Sequence, residues 1–153
     1  IRDRYEVDET KAMYTTRLTP DIQHSIRSMF PFPAIFQRYA TKQREWRVTS
    51  VGDEFFDAAI YTSPEAKDDW RIHQLTDKVT FKKEEIRDDI HELCTKYLGH
   101  FGLTYGAFDF IEDSDGKITF LECNSNGQFR WLEELLDMPI SDAIVDTLIK
   151  KVK

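Results

Sequence analysis

Glycine is scarce in this chain: there are six in 153 residues, and none are clustered. No glycine-rich loop is therefore present to wrap a phosphate with its backbone. Cysteine is scarcer still. Cys94 and Cys123 sit in apolar patterns without metal-ligand spacing, and His24, His73, His91 and His100 form no zinc pattern. The two thiols read as free and buried, in a reducing cytosol. No apolar run approaches the roughly 18 residues of a membrane span. The opening Ile1-Arg-Asp-Arg-Tyr-Glu6 is charged from its start and does not read as a signal peptide. A basic excess is lacking as well: 21 Lys and Arg stand against 28 Asp and Glu. A net charge of −7 argues against general nucleic-acid binding. There is no internal repeat and no low-complexity linker.

The chain does have apolar and aromatic side chains. A hydrophobic fraction of 41% with 11 phenylalanines fits one folded domain with a real core. Pro20-Asp21 opens a short helix through Ile22, Ile26 and Met29, bounded by Pro31 and Pro33. Residues 34–39 read as a strand. Glu45–Val51 is a second, alternating strand that turns at Gly52-Asp53 into a third, Glu54–Tyr61. Residues 63–73 read as a polar loop and 74–80 as a short strand. Ile86, Ile90, Leu93, Cys94, Tyr97 and Leu98 share one face of a helix over about 82–98, with Gly99 as its stop. A short helix over 129–137 places Trp131, Leu132, Leu135 and Leu136 inward. Beyond Pro139, a last helix is capped by Ser141 and turns Ile144, Leu148 and Val152 inward. The order predicts an α+β fold: an antiparallel sheet with helices packed on one side.

Between the long helix and the last two lies a hairpin, Thr104–Asn124. Asp115-Gly116 predicts a two-residue type I′ turn. Counting back from it sets Asp109 opposite Glu122 and Ala107 opposite Asn124. Side chains alternate along a strand, so Asp109, Glu122 and Asn124 share a face, while Phe108, Phe110, Leu121 and Cys123 point to the core. Opposed β-carbons lie roughly 4.5–5.5 Å apart, so two carboxylates there repel unless a cation sits between them. Hard oxygen donors in that number, with room for water and phosphate, suit magnesium. A solvated hairpin face, or a bulge that separates the pair, is the plain alternative.

Glu122-Cys-Asn-Ser-Asn-Gly-Gln128, after a strand ending in Asp109-Phe110, resembles the magnesium-binding end of ATP-grasp ligases. Leu121–Glu133 resembles more narrowly the microviridin-type, or graspetide, maturases that macrocyclise ribosomal peptides. Tyr14-Thr-Thr16, Ile35–Tyr39, Glu45-Trp-Arg-Val48 and Asp69-Trp-Arg71 follow in matching order, and the resemblance covers about residues 14–150. It implies that Asp109, Glu122 and Asn124 hold magnesium, with Glu122 bridging two ions. It implies that Gln37, Arg38 and Tyr39 form the hinge gripping adenine, with Glu45 near the nucleotide. Arg47 and Arg71 would serve phosphate or acylphosphate oxygens, and Asn126 would shape the acceptor side. Read singly, Arg47 is a surface residue paired to Glu54 or Asp57, Arg71 a solvated loop cation, Glu45 a strand-edge charge, and Trp131 and Leu132 core.

The family also needs an N-terminal domain, phosphate-reaching lysines and a glycine-rich flap. The chain therefore reads as the C-terminal ATP-grasp subdomain, residues 1–153, of a larger cytoplasmic ligase. The resemblance implies ATP and Mg2+ as cofactors. It implies a precursor peptide or other carboxylate substrate and the N-terminal part of the same enzyme as partners, with homodimerisation open and neither nucleic acid nor membrane involved. A glutamate-adding ATP-grasp ligase, or a non-catalytic peptide-docking or metal-binding module, are the other readings.

Overall fold

The computed structural model describes residues 17–20, 35–66, 68–73 and 76–152. The expected helix through Ile22, Ile26 and Met29, the Tyr14-Thr-Thr16 segment and Ala34 lie outside the described residues. Five strands, β1 (Arg44–Val51), β2 (Glu54–Thr62), β3 (Val79–Lys83), β4 (Tyr105–Glu112) and β5 (Ile118–Asn124), form one antiparallel sheet in the order β3-β2-β1-β4-β5. Helices α1 (Asp88–Phe101), α2 (Arg130–Leu136) and α3 (Ile140–Val152) complete an α+β fold.

The expected β1–β2 hairpin is present, with Val51 paired to Glu54 across Gly52-Asp53. Only Gly52 of that turn takes a positive φ, +59°, which glycine adopts without steric cost. Alternation along β1 sends Trp46 and Val48 to one face. There they join Phe108 and Phe110 of β4 and are covered by Ile86, Ile90, Cys94 and Leu98. The opposite face carries Val51, Phe56 and Ala58 under Leu132, Met138, Ile140 and Ala143 of the last two helices and their connection. The α+β class and the antiparallel sheet are as expected, but the helices divide between the two faces instead of sharing one. The reason is in β2: its alternate residues are mostly apolar on both sides, so each side needs a cover.

Several element boundaries differ from the sequence reading. Residues 35–41 form no strand and are mostly exposed. The 63–73 loop contains two short 3-10 turns, Pro64–Ala66 and Trp70–His73, which bury Ala66 and Asp69. β3 runs later than the 74–80 expectation. α1 passes through Gly99 and stops at Gly102, φ +65°, where the Gly102 and Leu103 amides donate to the Gly99 and Leu98 carbonyls. Leu93, Leu135 and Leu148, expected inward, are more than half exposed. Ser141 lies inside the first turn of α3, and both its amide and its hydroxyl donate to the Glu133 carboxylate, at 2.5 and 2.8 Å.

Leu132 is fully buried between α2 and the sheet. Leu132→Ala should cost about 2–5 kcal/mol in chemical denaturation, the range for a truncated core leucine. Leu135→Ala on the same helix should stay within about 0.5 kcal/mol of the parent.

Candidate functional site

β1 lies between β2 and β4, so a β1 side chain is held in direction from both sides. Arg47 pairs in register with Asp109 on β4, and Asp109 pairs in turn with Glu122 on β5. The three side chains thus form a row across the sheet on the face opposite α1. The Arg47 guanidinium meets the Asp109 carboxylate as a fork, Nε–Oδ1 2.6 Å and Nη2–Oδ2 3.1 Å. Its remaining nitrogen, Nη1, donates to the Gln128 carbonyl at 3.4 Å. The cation that the cross-strand carboxylates call for is therefore supplied in part by the chain itself. Arg47 does not pair with Glu54 or Asp57. Asp57 faces α1, where it accepts from the Ile86 amide at 3.0 Å and meets His91 at 2.7 Å.

Burial pushes the Asp109 carboxyl above the ordinary aspartate range. Arg47 pulls it back, and the Glu122 charge across the strand pushes it up again. Glu122 and Asn124 are exposed beside it. Asn124 is held by the loop that follows: its Oδ1 accepts the Asn126 amide at 2.9 Å, and its carbonyl accepts the Gly127 amide at 3.2 Å. Asn126 thus acts on Asn124 through its backbone, while its side chain is exposed. A cleft of about 450 Å³ opens along Asn126–Trp131.

Arg71 is held differently. The neighbouring Asp69, 5% exposed, clasps it with Nε–Oδ1 at 2.8 Å and Nη2–Oδ2 at 2.7 Å. That clasp raises the Arg71 guanidinium further above its usual value, and the charges of Glu122 and Asp109 act on it in the same direction. Glu45 shares the Arg47 side of β1 and is paired to Lys42, both largely buried. Burial raises the Glu45 carboxyl and Lys42 opposes that rise. Gln37, Arg38 and Tyr39 lie in the exposed stretch before β1, where the Arg17 guanidinium stacks 4.5 Å over the Tyr39 ring. Leu132 is core as read. Trp131 packs with Trp70 and Phe81, its ring 6.0 Å from the Arg47 guanidinium.

Sequence reasoning passed over Lys42 and Tyr105. Lys42 could have been noticed from its spacing of three to Glu45. Nothing local marks Tyr105, whose hydroxyl donates to the Gly127 carbonyl at 2.6 Å. Among the described residues no three of His, Cys, Asp and Glu gather to hold a metal ion. The donor set here is two carboxylates and one amide oxygen, all hard ligands. Magnesium accepts so small a protein set because it retains water and phosphate oxygens.

No family model matches the sequence. A tetrahydromethanopterin:α-L-glutamate ligase of Methanocaldococcus jannaschii is 30% identical over 112 residues, which are 73% of this chain and 37% of that protein. A RiPP-associated ATP-grasp ligase of Chryseobacterium gregarium, solved with ADP and a leader and core peptide, matches with a TM-score of 0.80. It is 30% identical over 91% of this chain and 43% of its own. The chain has the ATP-grasp ligase fold. Macrocyclase MdnC of Microcystis aeruginosa, solved with precursor peptide MdnA, matches at a TM-score of 0.62 and 34% identity, over 73% of this chain and 34% of its own. The chain spans less than half the length of each of these relatives. No helix among its described residues is long and apolar enough to cross a membrane.

Removing the Arg47 cation leaves Asp109 buried without its partner. The folded-state pKa of Asp109 then rises further above its unfolded value. A raised carboxyl contributes stability that is full below the unfolded pKa and is lost as pH rises through the folded one. Urea unfolding of Arg47→Ala should therefore show a small loss at pH 4 and a larger one, about 1–3 kcal/mol, at pH 7.

Proposed function

We propose that the chain is the C-terminal, ATP- and magnesium-binding part of a cytoplasmic ligase that joins a carboxylate of a ribosomal precursor peptide to a hydroxyl or an amine. The observation that carries this reading is the row Arg47–Asp109–Glu122 with Asn124 on the same sheet face. In the overall reaction the carboxylate takes the γ-phosphoryl group of ATP, giving an acylphosphate and ADP. The acceptor oxygen or nitrogen then attacks the acyl carbon, phosphate leaves, and an ester or amide remains.

Asp109, Glu122 and Asn124 would hold magnesium, and Glu122 would serve two ions. The metal would neutralise phosphate charge during transfer. Arg47 and Arg71 are planar cations held by carboxylates, and each suits two oxygens of a phosphate or acylphosphate at once. Gln37, Arg38 and Tyr39 would meet the adenine and Glu45 would lie near the nucleotide. The cleft beside Asn126 is open to the acceptor. Positioning and charge neutralisation are nearly all that phosphoryl transfer asks of a protein. The rest of the site, with its phosphate-reaching lysines and flap, would come from the N-terminal part of the same enzyme. Two free thiols favour the cytoplasm.

In the full-length enzyme, Glu122→Gln should abolish turnover while the melting temperature is kept. Unchanged turnover would sink the magnesium reading. Arg47→Lys should restore only part of what Arg47→Ala loses, because a point charge cannot make the forked contact. The 153-residue chain alone should hydrolyse ATP far more slowly than about 1 s⁻¹, the low end for ordinary enzymes. The similarity to a glutamate ligase keeps a second reading in view, addition of glutamate to a terminus. Mass spectrometry of the product separates the two: cross-linking removes water from the peptide, whereas glutamate addition increases the acceptor mass.

A further inference from the structure

The loop Asn124–Gln128 is gripped by two side chains at consecutive carbonyls. Arg47 reaches the Gln128 carbonyl at 3.4 Å and the Tyr105 hydroxyl donates to the Gly127 carbonyl at 2.6 Å. The two grips differ in what they depend on. Arg47 is committed to Asp109, so any cation that draws on the Asp109 oxygens competes with it. Tyr105 has no such tie. Its ring packs against the core of the α2–α3 face and meets Phe129 edge-on, with centroids 6.2 Å apart. Burial raises the phenol above its usual value, so it stays a neutral donor.

The seat beneath the loop is equally particular. A Cβ on Gly127 would lie 2.4 Å from the Ala107 Cβ, so only glycine lets the backbone lie this close to β4. Gly127 is fixed on both sides, its amide on the Asn124 carbonyl and its carbonyl on Tyr105. The Asn126 amide is thereby held against Asn124 Oδ1.

We propose that Tyr105 is a positioning residue. Its hydroxyl keeps the 124–128 loop seated, and so aims the Asn124 side chain, when Asp109 is engaged by a cation and Arg47 lets go. This rests on the magnesium reading above. Positioning partners of metal ligands, when removed, typically cost about 10–100-fold in metal affinity.

The test is Tyr105→Phe in the full-length protein, which keeps the ring and its packing. The readouts are magnesium titration of the thermal shift in the presence of ADP, and hydrogen exchange at the Asn126 and Gly127 amides. About tenfold weaker half-saturation by magnesium, with faster exchange at both amides and a metal-free melting temperature close to the parent's, is the expected result. Gly127→Ala, which lifts the loop off Ala107 by another route, should show the same weakening. Unchanged magnesium half-saturation in Tyr105→Phe overturns the inference, whether or not the melting temperature falls, because the hydroxyl is then only a packing contact. If the parent protein itself shows no magnesium-dependent shift with ADP, the magnesium reading fails and this inference falls with it. A parent that responds beside an identical Tyr105→Phe variant removes this inference alone.

Discussion

Arg47 and Asp109 face each other across two adjacent strands in the middle of the sheet, in a forked contact largely removed from water. Such a pair contributes little net stability, because desolvating two charges offsets most of their attraction. It does constrain. With Arg47 held by Asp109 on one strand and reaching Gln128 in the loop, the carboxylate row and the loop after β5 keep a fixed relation. Exchanging the pair for apolar residues would leave Glu122 and Asn124 on the hairpin but without the neighbour that sets their charge environment. The row is polar for a reason that packing alone does not supply.

The two sheet faces are therefore unequal. The α1 face closes around Trp46, Val48, Phe108 and Phe110 and is nearly dry. The other face is apolar at two places, under α2 and α3 and around the Trp70–Phe81–Trp131 cluster, with the Arg47–Asp109–Glu122 row beside them. Lys42 with Glu45 and Tyr105 with Gly127 lie on opposite sides of that row, displaced along β1 and β4. Each pairs a partly buried polar group with a partner, as a low-dielectric setting requires. Charged groups placed among such walls act on one another more strongly than they would in water.

Much of this was legible in the sequence where a strong local period existed. β1, β2, α1 and α2 follow alternation or helical spacing, and Arg47 faces the Asp109 side because Trp46 and Val48 claim the other. Legibility failed where two local signals competed. Gly99 looks like a helix stop, yet the chain continues for nearly another turn, because Gly102 with Leu103 offers a complete terminal hydrogen-bond pair. Residues 35–39 have strand-like side chains, but no described strand pairs with them, and a strand-like composition does not by itself supply a partner. The clasp of Asp69 on Arg71 is local, two residues apart, and depends on the 3-10 turn that the loop reading missed. The reach of Tyr105 to Gly127 is a tertiary fact that neither residue's neighbours announce.

The hairpin shows how a correct register can follow from an incorrect turn. A two-residue type I′ turn at Asp115-Gly116 requires positive φ at both positions, but only Gly116 has it, at 77°. The chain instead turns through Ser114–Gly116, with the Asp113 carboxylate accepting the Asp115 and Lys117 amides. That shift alone would have set Asp109 opposite Leu121. The ladder does run one residue out of the expected step from Glu112–Ile118 to Phe110–Phe120, and a bulge then places Leu121 outside the pairing. Asp109–Glu122 and Ala107–Asn124 recover the expected pairing, and Leu121, expected in the core, is 39% exposed. The bulge lies between the turn and the site, so the turn does not set the pairing that the site uses. What lies on the site's side of the bulge is the contact of Gly127 with Ala107 and the Tyr105 bond. These pin the end of β5 to the start of β4, so Glu122 and Asn124 take their register from the loop that follows them and the hairpin tip accommodates the extra residue.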